Sequence, residues 1–259
     1  MTYDVIDAAR RTTRRRAAVA GLVAVAVLGV VTAVVLYVVN HPGQAPAPSA
    51  TGTSQWPATL APSWGSPPPI SAGPLALSAD LTWTEVAGVA LPASSTAGPR
   101  DVRDGRARGF AHTQAGALLA AVHLLVRTTA QVGPSVFDPT IAEQVVGPDA
   151  ASMRDRVTQM YAQMRDAAQV PYGQPIGRLS AALRGFRINA HTPTDALLTV
   201  LTEATDTTGT PRFAATEVRM RWTGEDWALV APAGGTWDAV VLIVTAEQAA
   251  TFTPFGRGG

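Results

Sequence analysis

Four histidines, 19 acidic side chains and no cysteine are what this chain offers to acid–base, nucleophilic or metal chemistry. The missing thiol removes disulfide frameworks, thiolate zinc sites and cysteine nucleophiles together. His41, His112, His123 and His191 are scattered, and no pair has the spacing of metal ligands on one helix or turn. The sequence holds no G-x-S-x-G turn, no H-E-x-x-H pair and no EF-hand loop, and with every basic residue an arginine it holds no P-loop lysine. Tyr161, Asp166 and Tyr172 are the acids or bases that a pocket could recruit, yet their spacing does not demand it. The expectation is a non-enzymatic protein, with no catalytic residue, no cofactor and no metal.

The elements that would position any site begin at a membrane. Residues 17–39 run for 23 positions without a charge, and at about 1.5 Å per residue they span a hydrocarbon core of about 30 Å. Arg10, Arg11, Arg14, Arg15 and Arg16 precede this run, and the next arginine is Arg100. The positive-inside rule therefore places residues 1–16 in the cytoplasm as an Arg-rich arm beside lipid headgroups, with everything after the helix exported. A cleaved signal peptide has the same order of segments but a shorter apolar region, so an uncleaved single-pass anchor is the reading. Five arginines against Asp4 and Asp7 give the arm +3, and 15 arginines against 17 acids leave −2 for the rest, which implies no nucleic-acid surface. Small residues at Ala17/Gly21 and Gly29/Ala33 are spaced so that two such helices could approach in a homo-oligomer, although small residues are also what an Ala-rich span contains by composition alone, the commoner case.

Residues 40–79 form a Pro/Ala/Ser-rich, disordered linker, with nine prolines and no charge between Asn40 and Leu75. Residues 80–259 then read as one extracytoplasmic domain. Leu81–Val86 alternates as a strand, and Asp101, Arg103, Asp104, Arg106 and Arg108 read as a solvated loop. Thr113 caps a helix over 114–131 whose stripe is Leu118, Leu119, Val122, Leu125, Val126 and Thr129, with His123 at its margin as a hydrogen-bonded structural histidine. Asp138-Pro139 opens a short helix ending at Gly147, and Asp149 caps another with Met153, Val157, Met160, Met164 and Ala168 on its inner face. The period then changes to two. Phe186–Ala190, Ala196–Leu201 and Phe213–Trp222 read as strands, and Trp227–Val230 completes a hairpin across Thr223–Asp226. Trp237–Val244 fits either a strand or a buried helix. Helices followed by an antiparallel meander predict an α+β domain with helices packed on one face of a curved sheet. Trp222 and Trp227 flank the hairpin turn; exposed, they would serve as a partner contact, whereas core tryptophans are the commoner outcome.

Three segments carry a resemblance: Trp83-Thr-Glu-Val-Ala-Gly-Val-Ala-Leu-Pro92, Gly109-Phe-Ala-His-Thr-Gln-Ala-Gly-Ala-Leu-Leu-Ala120, and Arg219-Met-Arg-Trp222 with Asp226-Trp227. They resemble actinobacterial membrane proteins of integrative and conjugative elements, and Phe252-Thr-Pro-Phe255 is similar to the aromatic ending of that group. The group is similar in architecture to the single-pass assembly subunits of type IV secretion and Gram-positive conjugation machines. The resemblance implies a nuclear-transport-factor-two-like (cystatin-like) cone outside the cell membrane. It also implies a scaffold role whose partners are the other membrane-complex subunits. An accessory protein of an actinobacterial lipid-import complex is the alternative, and a cone-fold domain with a closed polar ligand or enzyme pocket is a third.

Overall fold

The computed structural model describes Leu75, Leu77 and Asp80–Gly256 apart from Thr207. The Arg-rich arm with Arg10, Arg11, Arg14, Arg15 and Arg16, the apolar run 17–39 and nearly all of the linker lie outside the described residues. Among the described residues no helix is long and apolar enough to cross a membrane.

The chain enters through two hairpins, β1 (Thr82–Val86) with β2 (Val89–Ala93) and β3 (Asp101–Arg103) with β4 (Arg106–Arg108). The second hairpin occupies the segment expected as a loop. Its turn is Asp104-Gly105, both at positive φ (52° and 77°), the backbone that a two-residue hairpin turn requires and that Asp-Gly adopts readily. Arg106 and Arg108 both reach Glu143, so the charges of this segment tie the hairpin to a helix.

Helix α1 (Gln114–Arg127) follows, with Thr113 accepting a hydrogen bond from the Gly116 amide at 3.1 Å as the expected cap. The expected stripe covers only part of what is buried, since Ala117 through Val122 are all at 0% exposure. The main sheet covers one side of α1 while β2 and β4 cover another, and a helix enclosed in this way has no polar face. A 3-10 turn at Ala130–Val132 leads to α2 (Pro134–Gln144). This helix starts earlier than expected. Pro134, not Pro139, occupies the first turn after Gly133, and Pro139 sits inside the helix, where it forgoes a bond to the carbonyl one turn back.

After the two-residue strand β5 (Val145–Val146), α3 (Ala150–Ala168) runs 19 residues and stops, as expected, before Pro171, with Gln169 left-handed at φ 57°. Asp149 stands at the start but makes no side-chain cap bond. The inner face is Met153, Val157, Tyr161 and Met164, whereas Met160, expected inside, is 40% exposed. Tyr161 takes that place because its ring packs on Phe137 while its hydroxyl reaches polar partners in the following loop.

The long strands β6 (Ala181–His191), β7 (Asp195–Thr205) and β8 (Pro211–Trp222) form the expected antiparallel meander. Register shifts at Leu183/Gly185 and Ile188/Ala190 bulge β6, and bulged strands bend. The far edge of β8 is shared: β9 (Trp227–Val230) pairs with Met220–Trp222, and β10 (Val241–Val244) with Phe213–Thr216. The tail left open between strand and helix is therefore a strand. β5 adds to β9 in parallel, and β11 (Thr253–Pro254), after the short helix α4 (Ala246–Ala249), closes the outer edge of β6. The sheet order is β11-β6-β7-β8-β9-β5 with β10 beside β8, helices packing on one face: an α+β domain. Phe252 and Phe255, both buried, carry the aromatic ending onto the domain, with the Phe255 ring 5.1 Å from that of Phe186.

Candidate functional site

The segment Gly109–Gly116 is a docking hub for the tryptophan hairpin. Asp226, in the turn between β8 and β9, accepts hydrogen bonds from the amides of Gly109 (2.7 Å), Phe110 (3.1 Å) and Trp227 (2.9 Å). Burial pushes its carboxyl above the usual range, while the three amides and Arg108 pull the other way. One residue on, the Ala111 carbonyl accepts the Trp227 indole N–H at 3.0 Å. His112 stacks on Trp222 at 4.0 Å between centroids and 9° between planes, and its Nε2 contacts the Pro193 carbonyl. Gly116 completes the arrangement, since a Cβ there would collide with the Ala111 carbonyl oxygen.

Of the two tryptophans that would form a partner contact if exposed, Trp227 takes the commoner outcome and is buried. Trp227 is 1% exposed and is the anchor that joins hairpin to helix; Trp222 is half-buried under His112. His191 lies 5.8 Å from the Trp227 ring, and burial and the neighbouring His112 lower its pKa.

The other histidine of interest is structural, as its position at the margin of the α1 stripe suggested. His123 is fully buried, its Nε2 lies 3.0 Å from the Pro92 carbonyl and its Nδ1 2.9 Å from an Arg127 guanidinium nitrogen. An arginine can only donate, so Nδ1 accepts and the ring proton is on Nε2. Burial, then the Arg127 charge, push the His123 pKa down to about 3, against the Pro92 hydrogen bond, and burial brings Arg127 down to about 10. The other acid–base candidates do not converge. The Tyr161 hydroxyl donates to the Gln174 carbonyl (2.9 Å) and accepts from the Gly173 amide (3.0 Å); Asp166 pairs with its neighbour Arg165; Tyr172 is 74% exposed. Among the described residues no three histidine or acidic side chains gather as a metal site.

What the fold does build is a cavity of about 360 Å³ between the helices and the inner face of the sheet. Leu125 and Val126 of α1, Val157 and Met160 of α3, Leu183 of β6 and Trp237 supply apolar walls. Thr202 of β7 and Thr216 of β8 lie on the same inner face, on neighbouring strands where Thr202 pairs with Ala214 and Val200 with Thr216. Arg156, Gln159, Gln163 and Asp238 add polar groups, with Arg156 donating to the Gly234 carbonyl at 2.6 Å. The cavity is open and mainly apolar rather than closed and polar. No sequence motif marks it. The signal available was local: Thr202 and Thr216 interrupt the inward rows Ala196-Leu198-Val200 and Val218-Met220, and polar residues on a core face need a partner or a space.

A second surface lies at β10. Among the described residues it pairs only with β8, and Leu242 and Ile243 are 41% and 40% exposed. Residues 239–245, Ala-Val-Val-Leu-Ile-Val-Thr, carry no charge, no proline and no glycine. Charges and proline are among the devices that blunt edge strands, and β10, four residues long, carries neither.

No curated protein and no solved structure matches the chain. A family described as a domain of unknown function (DUF8175) matches residues 41–251, from the linker through α4, and the chain belongs to that family.

Proposed function

We propose that this protein is a membrane-anchored, non-enzymatic assembly subunit of a conjugation or type IV secretion-like machine. The proposal takes residues 17–39 as a single-pass anchor with the arm inside, and the domain as a nuclear-transport-factor-two-like cone held outside the membrane on its linker. Support for the cone comes from α1 and α3 packed on one face of the long, bulged β6–β7–β8 meander. The observation that carries the assembly role is the unprotected edge of β10. A strand of a neighbouring subunit added there would satisfy its free backbone groups and cover Leu242 and Ile243. The acidic balance of the chain after residue 16 supports protein partners over direct nucleic-acid contact.

Crosslinking and affinity purification of the tagged full chain from its native membrane test this reading. Conjugation or secretion subunits should be recovered with the wild type and lost with Ile243→Lys, which places a charge on the edge without touching the core. Recovery of lipid-import permeases would instead support an accessory subunit of a lipid-import complex, the reading favoured by the apolar cavity. Recovery of the protein alone would sink both.

A further inference from the structure

We infer that the cavity between α1, α3 and the sheet is a binding site for a single acyl chain bearing an uncharged hydrogen-bonding group, and that Thr216 is the residue that recognises that group. The inference does not depend on the β10 edge, which lies outside the cavity lining.

Size sets the first limit. At the ~30 Å³ that a water occupies in the liquid, 360 Å³ holds about a dozen water-sized groups, and a methylene is of similar bulk. That suits one chain of about twelve carbons and falls at the small end of ligand pockets, which run from about 300 to 1,000 Å³. Methyl-rich and aromatic walls set the second. Leu125, Val126, Val157, Met160, Leu183 and Trp237 give water little to bond to, so water there is readily displaced by an apolar body. Met160 belongs to this wall although it stands on the exposed part of α3, which explains an apolar side chain on that face.

Thr216 sets the third limit. It is 5% exposed, faces the cavity from the inner side of β8, and its hydroxyl has no hydrogen-bond partner among the described residues. With the side chain nearly buried and no protein partner for its hydroxyl, the cavity is where a hydrogen-bonding group can reach it. Across the strand pair, the Thr202 hydroxyl has only the Ala214 carbonyl at 3.4 Å, near the limit of a hydrogen bond, and can turn to the same ligand. Both threonines are neutral and neither supplies a counter-charge to a headgroup seated against it, so the group they recognise is uncharged; the charged members of the lining, Arg156 and Asp238, belong to α3 and to the segment before β10. An alcohol, ester or amide on the chain is what the site accepts. No bond is made or broken.

The probe is dodecyl alcohol carrying a terminal diazirine, added to the full chain in nanodiscs, photolysed and mapped by peptide mass spectrometry. Labelling should appear on peptides containing Val157–Gln163 and Trp237 and be competed by plain dodecyl alcohol. Thr216→Val, nearly the same shape without the hydroxyl, should require about tenfold more competitor, the equivalent of one hydrogen bond. Dodecane should compete equally well in both proteins. Val157→Trp should abolish cavity labelling while labelling of the apolar run 17–39 continues as an internal control. Labelling confined to residues 17–39, or cavity labelling unchanged by Val157→Trp, overturns the proposal. If Val157→Trp does not fold, the Thr216→Val comparison decides, and equal competition by the alcohol in both proteins counts against the site.

Discussion

His123 has both ring nitrogens committed inside the domain, one to the Pro92 carbonyl and one to a cation, and a second ring proton would point at the Arg127 guanidinium. The folded state therefore refuses a proton until about pH 3, while the unfolded chain accepts it at the ordinary 6.5. Below 6.5 the unfolded state binds more protons, so stability falls as pH falls, across the window from 6.5 to about 3. Each pH unit in that window is worth about 1.4 kcal/mol, and acidification to about two units below 6.5 removes about 3 kcal/mol. That is a large share of the ~5–15 kcal/mol that holds a domain together. Asp206, whose carboxyl is held well below the usual range chiefly by the Thr208 hydroxyl and the Thr210 amide, loses its contribution only below its ordinary 3.8 and so acts outside the upper part of this window. His191 is also lowered and titrates in the same direction, so the variant assigns the effect. Urea unfolding of the solubilised full chain, followed by tryptophan fluorescence from about pH 7 to about pH 4.5, measures it. His123→Gln is less stable at neutral pH, yet its stability should vary much less across the window. Equal pH slopes in wild type and His123→Gln would refute the assignment, and a wild type with no slope would show that the ring is not buried as described.

Other expectations follow from the same contacts. Asp226→Ala removes the carboxylate that accepts from three backbone amides and should lower stability by about 2 kcal/mol in urea, with Asp226→Asn losing roughly half as much because its carbonyl still accepts. Gly116→Ala sets a methyl against the Ala111 carbonyl and should cost about 3 kcal/mol, read as a fall in melting temperature with loss of near-ultraviolet tryptophan circular dichroism, since Trp227 bonds the same carbonyl. Gly185→Ala places a Cβ 2.9 Å from both the Phe252 Cβ and the Thr253 carbonyl, so β11 should detach and the last residues become sensitive to carboxypeptidase while the rest of the domain stays folded. Ile243→Lys, in contrast, should change stability by less than about 0.5 kcal/mol, and a larger fall would mean that β10 supports the domain rather than a partner.

The period-two runs of β6 to β8, the Thr113 cap, the end of α3 before Pro171 and the hairpin at Thr223–Asp226 were legible from residue order, because each depends on contacts between near neighbours. So was the α+β class, which follows from the change of period along the chain. The Asp104-Gly105 hairpin was legible as well, but its charges masked it. What local pattern could not decide was which side of an element would be covered. The stripe on α1 underestimates its burial because β2 and β4, distant in sequence, close its other flank, and Met160 yields its inner place to Tyr161 because the loop at Gly173–Gln174 supplies partners for a hydroxyl. The hub has the same origin. Gly109, Phe110 and Ala111 meet Asp226 and Trp227 across more than a hundred residues, so a motif that could be recognised could not be explained until the hairpin folded back on it. The cavity exists only where α1, α3 and strands β2, β6, β7 and β8 fail to fill the space between them, and two threonines in apolar rows were its sole trace in the sequence. Periodicity and capping are properties of adjacent residues; burial, docking and empty volume belong to the way distant ones meet.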